Sequence, residues 1–114
     1  MSEPRPTVYV VQDPGRWNIS PAMEYGTIKV LLPENRQIIF SSAPTVRRLR
    51  DGLKNFSDED YLLLIGDPAA IGVATSIVSS INNGRYNLLK WDRQESHYIP
   101  IKININNFGN YQDE

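Results

Sequence analysis

The chain has 114 residues, 40% of them hydrophobic and 22% charged, with 12 Lys and Arg against 13 Asp and Glu for a formal net charge of -1. That size and balance fit one folded domain and exclude a wholly disordered chain, and the near-neutral charge excludes a molecule-wide field toward nucleic acid or anionic membrane. The absence of cysteine removes disulfides, thiolate nucleophiles and sulfur-ligated metals, and a single histidine, His97, removes any multi-histidine metal site.

Met1 to Pro6 is polar, carries two prolines and lacks the apolar stretch of a secretory signal. No run approaches the roughly 18 apolar residues of a membrane span. The expectation is a cytoplasmic protein with no membrane contact, a single domain over 1–114 whose ends, 1–6 and 107–114, are flexible. Thr7 to Val11 is β-branched and aromatic and stops at Gln12, Asp13, Pro14 and Gly15, which predicts a first strand cut off by a turn. Asp13 to Gly26 shows no clear apolar period and reads as an ordered loop, with Trp17, Ile19, Met23 and Tyr25 available for packing. Thr27–Leu32 and Gln37–Ser41 are two apolar runs joined by the polar turn Pro33 to Arg36, which predicts an antiparallel hairpin.

Ser42 and Pro44 then offer a helix start, and Val46, Leu49, Leu53 and Phe56 recur at helical spacing on one face of a first helix. Asp58, Glu59 and Asp60 read as a solvated break. Tyr61 to Ile65 is apolar without alternation, the pattern of a strand covered on both faces, and predicts the central strand. It runs into Gly66, Asp67 and Pro68, where Asp67 suits a helix N-cap and Pro68 the first turn. The second helix follows through Ile81, with Gly72 and Ala74 expected to allow close approach to a sheet, and ends at Asn82, Asn83 and Gly84, which tolerate left-handed backbone. Tyr86–Trp91 and Tyr98–Ile105 predict a closing hairpin, and Pro100, which has no N–H to give a ladder, places the last strand at an edge or a bulge. The fold class expected is α/β, a single-domain mixed sheet of about six strands with two main helices, a Rossmann-like βαβαβ core plus flanking hairpins.

Three groups of residues could carry chemistry. The turn Gly66, Asp67, Ala69, Ala70 opens a helix and could present N–H groups to an anion, yet it is neither a dinucleotide fingerprint nor a P-loop: the glycines at 66 and 72 lie six apart, no lysine follows, and Asp67 would repel phosphate. Arg47, Arg48, Arg50 and Lys54 form a basic side of the first helix and, with Lys90 and Arg93, could follow a nucleic-acid backbone, although a solvated helix exterior needs no ligand. Trp91, Arg93, His97 and Tyr98 surround the last hairpin turn and could contact a partner, while Trp91 and Tyr98 could equally be a cross-strand pair closing the hairpin. Asp92 and His97 could meet across that turn, but no serine lies in a nucleophile elbow and three consecutive acids on a loop make a poor cation site, so the inventory leans against catalysis and implies no cofactor.

The run LLLIGDPAAIG, continued by NNGR and LLKWDRQ within Tyr61 to Gln94, resembles a pattern of small proteins of tailed bacteriophages and prophages, and FSSAPTVRRLR, Phe40 to Arg50, extends the likeness. The resemblance implies work in the cytoplasm of an infected bacterium as an accessory factor that binds a host or phage protein, or nucleic acid. It carries over no catalytic residue. The leading expectation is a non-enzymatic accessory protein that binds a macromolecule, most of all a protein; the alternatives are a nucleic-acid-binding module and a nucleotide-binding enzyme at Gly66–Ala70. Monomer and homodimer both stay open, since an edge strand bearing Ile99, Ile101, Ile103 and Ile105 could pair with a copy of itself unless Pro100 and Lys102 protect it.

Overall fold

The computed structural model describes residues 5–34 and 43–106. Among them are strands β1 (Thr7–Gln12), β2 (Thr27–Leu32), β3 (Tyr61–Leu63), β4 (Arg85–Asp92) and β5 (His97–Asn104), helices α1 (Ala43–Leu53) and α2 (Pro68–Ile81), and a short 3₁₀ helix at Ser20–Tyr25. They build one mixed sheet in the order β2-β1-β3-β4-β5, with the first four strands parallel and β5 antiparallel to β4. This is the α/β class the sequence predicts, with the strand order of flavodoxin-type doubly wound sheets and a reversed last strand. Five strands rather than six lie among the described residues, and the run expected as a strand at Gln37–Ser41, with the Ser42 cap, falls outside them.

Handedness sorts the connections. The chain leaves β1 for β2 in one direction across the sheet and then travels from β2 to β3 and from β3 to β4 in the other, so right-handed crossovers place the first connection opposite the two helices. Tyr9, Val11 and Leu62 accordingly pack with Leu49 and Leu53 of α1 and Ala70, Ala74, Ile77 and Val78 of α2. Val8, Val10, Leu63, Leu89 and Tyr98 lie on the other face, beneath Ala22 of the 3₁₀ helix. The period that the loop reading of Asp13–Gly26 misses is three: Ile19, Ala22 and Tyr25 recur every third residue, as a 3₁₀ helix requires, and all three join that second core.

The central strand is buried at Leu62 and Leu63 as its unbroken apolar run predicts; its regular part ends at Leu63, past which Leu64 N–H still donates to the Leu89 carbonyl at 3.3 Å and the Ile65 carbonyl accepts Gln12 N–H at 3.1 Å. Ile65 N–H turns back onto the Leu63 carbonyl at 2.9 Å, bending the chain toward Gly66. Helix α2 begins as read, with the Asp67 carboxylate accepting from Ala69 N–H at 2.8 Å and Pro68 in the first turn, and Asn83 and Gly84 leave it with φ of 56° and 83°. Gly72 does not serve close packing. It faces outward, and a methyl group there would meet nothing within 4 Å. Gly72→Ala should therefore raise the unfolding free energy by about 0.5–1 kcal/mol, the helix-propensity difference alone, measurable by urea denaturation.

Asp58 and Glu59 are exposed, but Asp60 is only 8% exposed and is an internal acceptor. Its Oδ1 takes Thr7 N–H at 2.9 Å, and its Oδ2 takes Ser57 N–H at 2.9 Å and the Ser57 hydroxyl at 3.1 Å, tying the start of β1 to the loop before β3. At the far side of the sheet β5 is an edge strand, as Pro100 demands. Because Pro100 has no N–H, its pair with Leu89 belongs to the non-hydrogen-bonded class, and Trp91–Tyr98, two residues along, shares that class, in which side chains approach closest. The same parity turns the N position of Pro100 outward, leaving a gap in the donors that a second strand would need.

Candidate functional site

Doubly wound sheets bind ligands outside the carboxyl ends of their strands, where neighbouring connections diverge, here between β1 and β3. That crevice is stitched shut by Gln12, which is 5% exposed. Its side chain donates to the Pro33 carbonyl at 3.1 Å and accepts from Asp67 N–H at 2.8 Å. Gly66, at φ 135°, allows this approach: a Cβ on it would sit 2.6 Å from the Gln12 Cβ. In the turn read as an anion site, Asp67 N–H is engaged by Gln12, Ala69 N–H by the Asp67 carboxylate, and Pro68 has none. Ala70 is buried.

The same edge carries an aromatic stack. Trp17, 53% exposed in the segment after β1, meets Trp91 at the end of β4 edge-on, with ring centroids 6.0 Å apart and planes at 86°. Trp91, half-buried, meets Tyr98 across the hairpin at 5.0 Å and 70°. The cross-strand reading of Trp91 and Tyr98 is therefore the observed one, and Tyr98, only 2% exposed, is not a surface contact. Its ring closes the second core, and its carbonyl accepts from the Tyr25 hydroxyl at 3.0 Å. What the stack presents to solvent is Trp17 and the outer part of Trp91; Arg93 is exposed in the adjoining turn, while the exposed His97, next to Tyr98 in β5, alternates to the other face of the ribbon. His97 Nδ1 lies 3.1 Å from the Glu95 carbonyl, and Asp92 opposite it accepts from Gln94 N–H at 3.1 Å, so both side chains shape the turn. Sequence reading placed Trp17 in a packed loop without its partner. The signal available was its position just past β1, which parallel pairing brings level with the end of β4.

The six cations fall into two separate sets. Arg47, Arg48 and Arg50 are exposed on α1 and Lys54 is exposed just past its end, 3.6 Å from Asp51. Helix α1 packs on β2 and α2, whereas Lys90 lies on β4, paired with Ile99 on the helix-bearing face, and Arg93 lies in the hairpin turn. The breadth of α2 separates the sets.

A second recess lies at the opposite, amino edge, and nothing in the linear sequence marks it. Its lining includes Asp58, Arg85, Asn87, Lys102 and Asn104. Arg85 pairs with Asn104 and Asn87 with Lys102 across the β4–β5 ribbon. These four alternate with Tyr86 and Ile103 of the helix-side core, so they share the face that carries the 3₁₀ helix. Asp58 lies 3.6 Å from Arg85, and the Asn87 amide donates to the Asp58 carbonyl at 2.7 Å and the Asp60 carbonyl at 3.2 Å. No group of three or more potential metal ligands occurs among the described residues, and no helix there is long and apolar enough to cross a membrane.

Residues 6–105 match the model of the family described as Phage Pam3 gp32-like protein. No curated protein and no solved structure matches the chain.

Proposed function

The chain belongs to the phage Pam3 gp32-like protein family, and from that premise we propose that it is a non-enzymatic accessory protein that binds a protein partner in the cytoplasm of the infected bacterium. The observation behind this reading is the Trp17–Trp91 stack. A large aromatic left 53% exposed and held by a second tryptophan, with the exposed Arg93 in the adjoining turn, has the composition of an interface hot spot. Trp17 is the residue to remove, since it is more than half exposed and lies outside both buried cores, so its loss should leave the fold intact.

Tagged protein recovered from infected-cell lysate should hold a partner at stoichiometric level, identified by mass spectrometry and then purified. Against that partner, Trp17→Ala should weaken binding by about 30-fold, the effect of truncating a hot-spot tryptophan, while Arg47→Ala with Arg48→Ala leaves affinity unchanged. A partner held equally well by Trp17→Ala, or no stoichiometric partner at all, defeats the proposal. One observation favours a second reading, nucleic-acid binding: Arg47, Arg48 and Arg50 lie exposed along α1 with no acidic partner among the described residues. On that reading a gel-shift at low salt shows binding that weakens steeply with added salt and falls in the double arginine variant.

A further inference from the structure

We propose that the recess at the amino edge is a binding site for a phosphate group, with Arg85 and Lys102 as its cations and the Asn104 amide as an additional donor. It lies at the other end of the sheet from Trp17 and Trp91 and is independent of the partner surface there.

The register sets the geometry. Arg85 opposite Asn104 and Asn87 opposite Lys102 make Arg85 and Lys102 diagonal neighbours on one face of a two-stranded ribbon. Diagonal residues sit roughly 7–8 Å apart, near enough for two long cationic side chains to converge on a single oxyanion. Like charges so placed repel one another, and an anion between them turns that repulsion into attraction.

The remaining hydrogen bonds leave donors for a ligand. Asp58 stands 3.6 Å from Arg85 with both side chains more than half exposed, a loose pair that occupies one side of a guanidinium with five N–H groups. Lys102 has no acidic partner among the described residues. The Asn104 side-chain oxygen accepts Asn106 N–H at 3.0 Å, which leaves its amide hydrogens as the unused end. Asn87 spends its amide on the carbonyls of Asp58 and Asp60, fixing the loop that bounds the recess. Two cations and an amide against one carboxylate favour an anion over a metal ion, and the fork of Arg85 suits the several oxygens of a phosphate. The phosphate could belong to a free phosphate ester or to a nucleic-acid backbone.

The test is a backbone-amide NMR titration of the full chain with inorganic phosphate and, separately, with a short single-stranded oligothymidylate, at ionic strength held constant with sodium chloride. Saturable shifts confined to residues 85–87 and 102–105 are expected. Lys102→Glu should weaken phosphate binding by about ten-fold, the loss of a charge-assisted hydrogen bond. Should that variant disturb the whole spectrum, Arg85→Gln supplies the same reading at a site equally exposed. Oligothymidylate binding much tighter than phosphate at these residues supports the site and assigns it to nucleic-acid backbone; equal or weaker binding supports it and assigns it to a free ester. Shifts that grow linearly without saturation, shifts reproduced by chloride alone, or affinity unchanged in both variants overturn the proposal.

Discussion

Asp60→Ala should lower the unfolding free energy by about 2–4 kcal/mol, because the change strips the acceptor from Thr7 N–H and Ser57 N–H at once and leaves both without a partner in a part-buried site. That is a large share of the roughly 5–15 kcal/mol that hold a domain folded. Chemical denaturation of the purified variant measures it directly. Asp60→Asn sharpens the result. The amide keeps one oxygen and can still serve Thr7, but it turns an N–H₂ toward the Ser57 donor, so its cost should be about 1–2 kcal/mol and clearly below that of alanine. If both variants match the parent, the anchoring role of Asp60 at the start of β1 is wrong.

Gly26→Ala should cost about 3 kcal/mol for a different reason, overpacking against main chain. A Cβ at Gly26 would fall inside van der Waals contact of the Pro6 carbonyl, the same carbonyl that accepts Thr27 N–H at 2.8 Å and opens the ladder between β1 and β2. A flexible side chain could swing aside; a carbonyl within a ladder cannot without parting the strands. Thermal unfolding should shift down by roughly 10 °C, whereas Gly72→Ala, with open space around it, should shift it slightly up. The opposite signs at two glycines form an internal control. Equal effects would mean that the spacing around Gly26 is not what restrains it.

The candidate surfaces were legible to unequal degrees. Trp91 and Tyr98 could be paired from the linear chain because a short hairpin places them by local turn geometry, and the register confirms it. That one of the two would be sealed in the core could not be read, since the cover over Tyr98 includes Ala22 and Tyr25, more than 70 residues away. The cations of α1 were visible as one helix side, but their separation from Lys90 depends on α2 lying between. Arg85 and Lys102 attract no notice in a list of residues, being 17 positions apart with ordinary neighbours, and only the antiparallel register makes them diagonal.

The sequence by itself determined what is decided within a few residues or by an average environment. Leu62 and Leu63 are apolar without alternation because both faces are covered, Asp67 starts α2 because its carboxylate accepts a free N–H of the first turn, Pro68 follows because an N–H there would have no partner in the helix, and Pro100 lies at an edge because it has no hydrogen to give. Only the tertiary structure decided that β2 runs parallel beside β1, that Asp60 is interior, that Gln12 seals the crevice, and that Gly72 faces outward. Each of these turns on a contact between segments distant in the chain. Such contacts are selected by the packing of the whole sheet, through chain crossovers whose handedness and register leave no periodic trace in the residues they join.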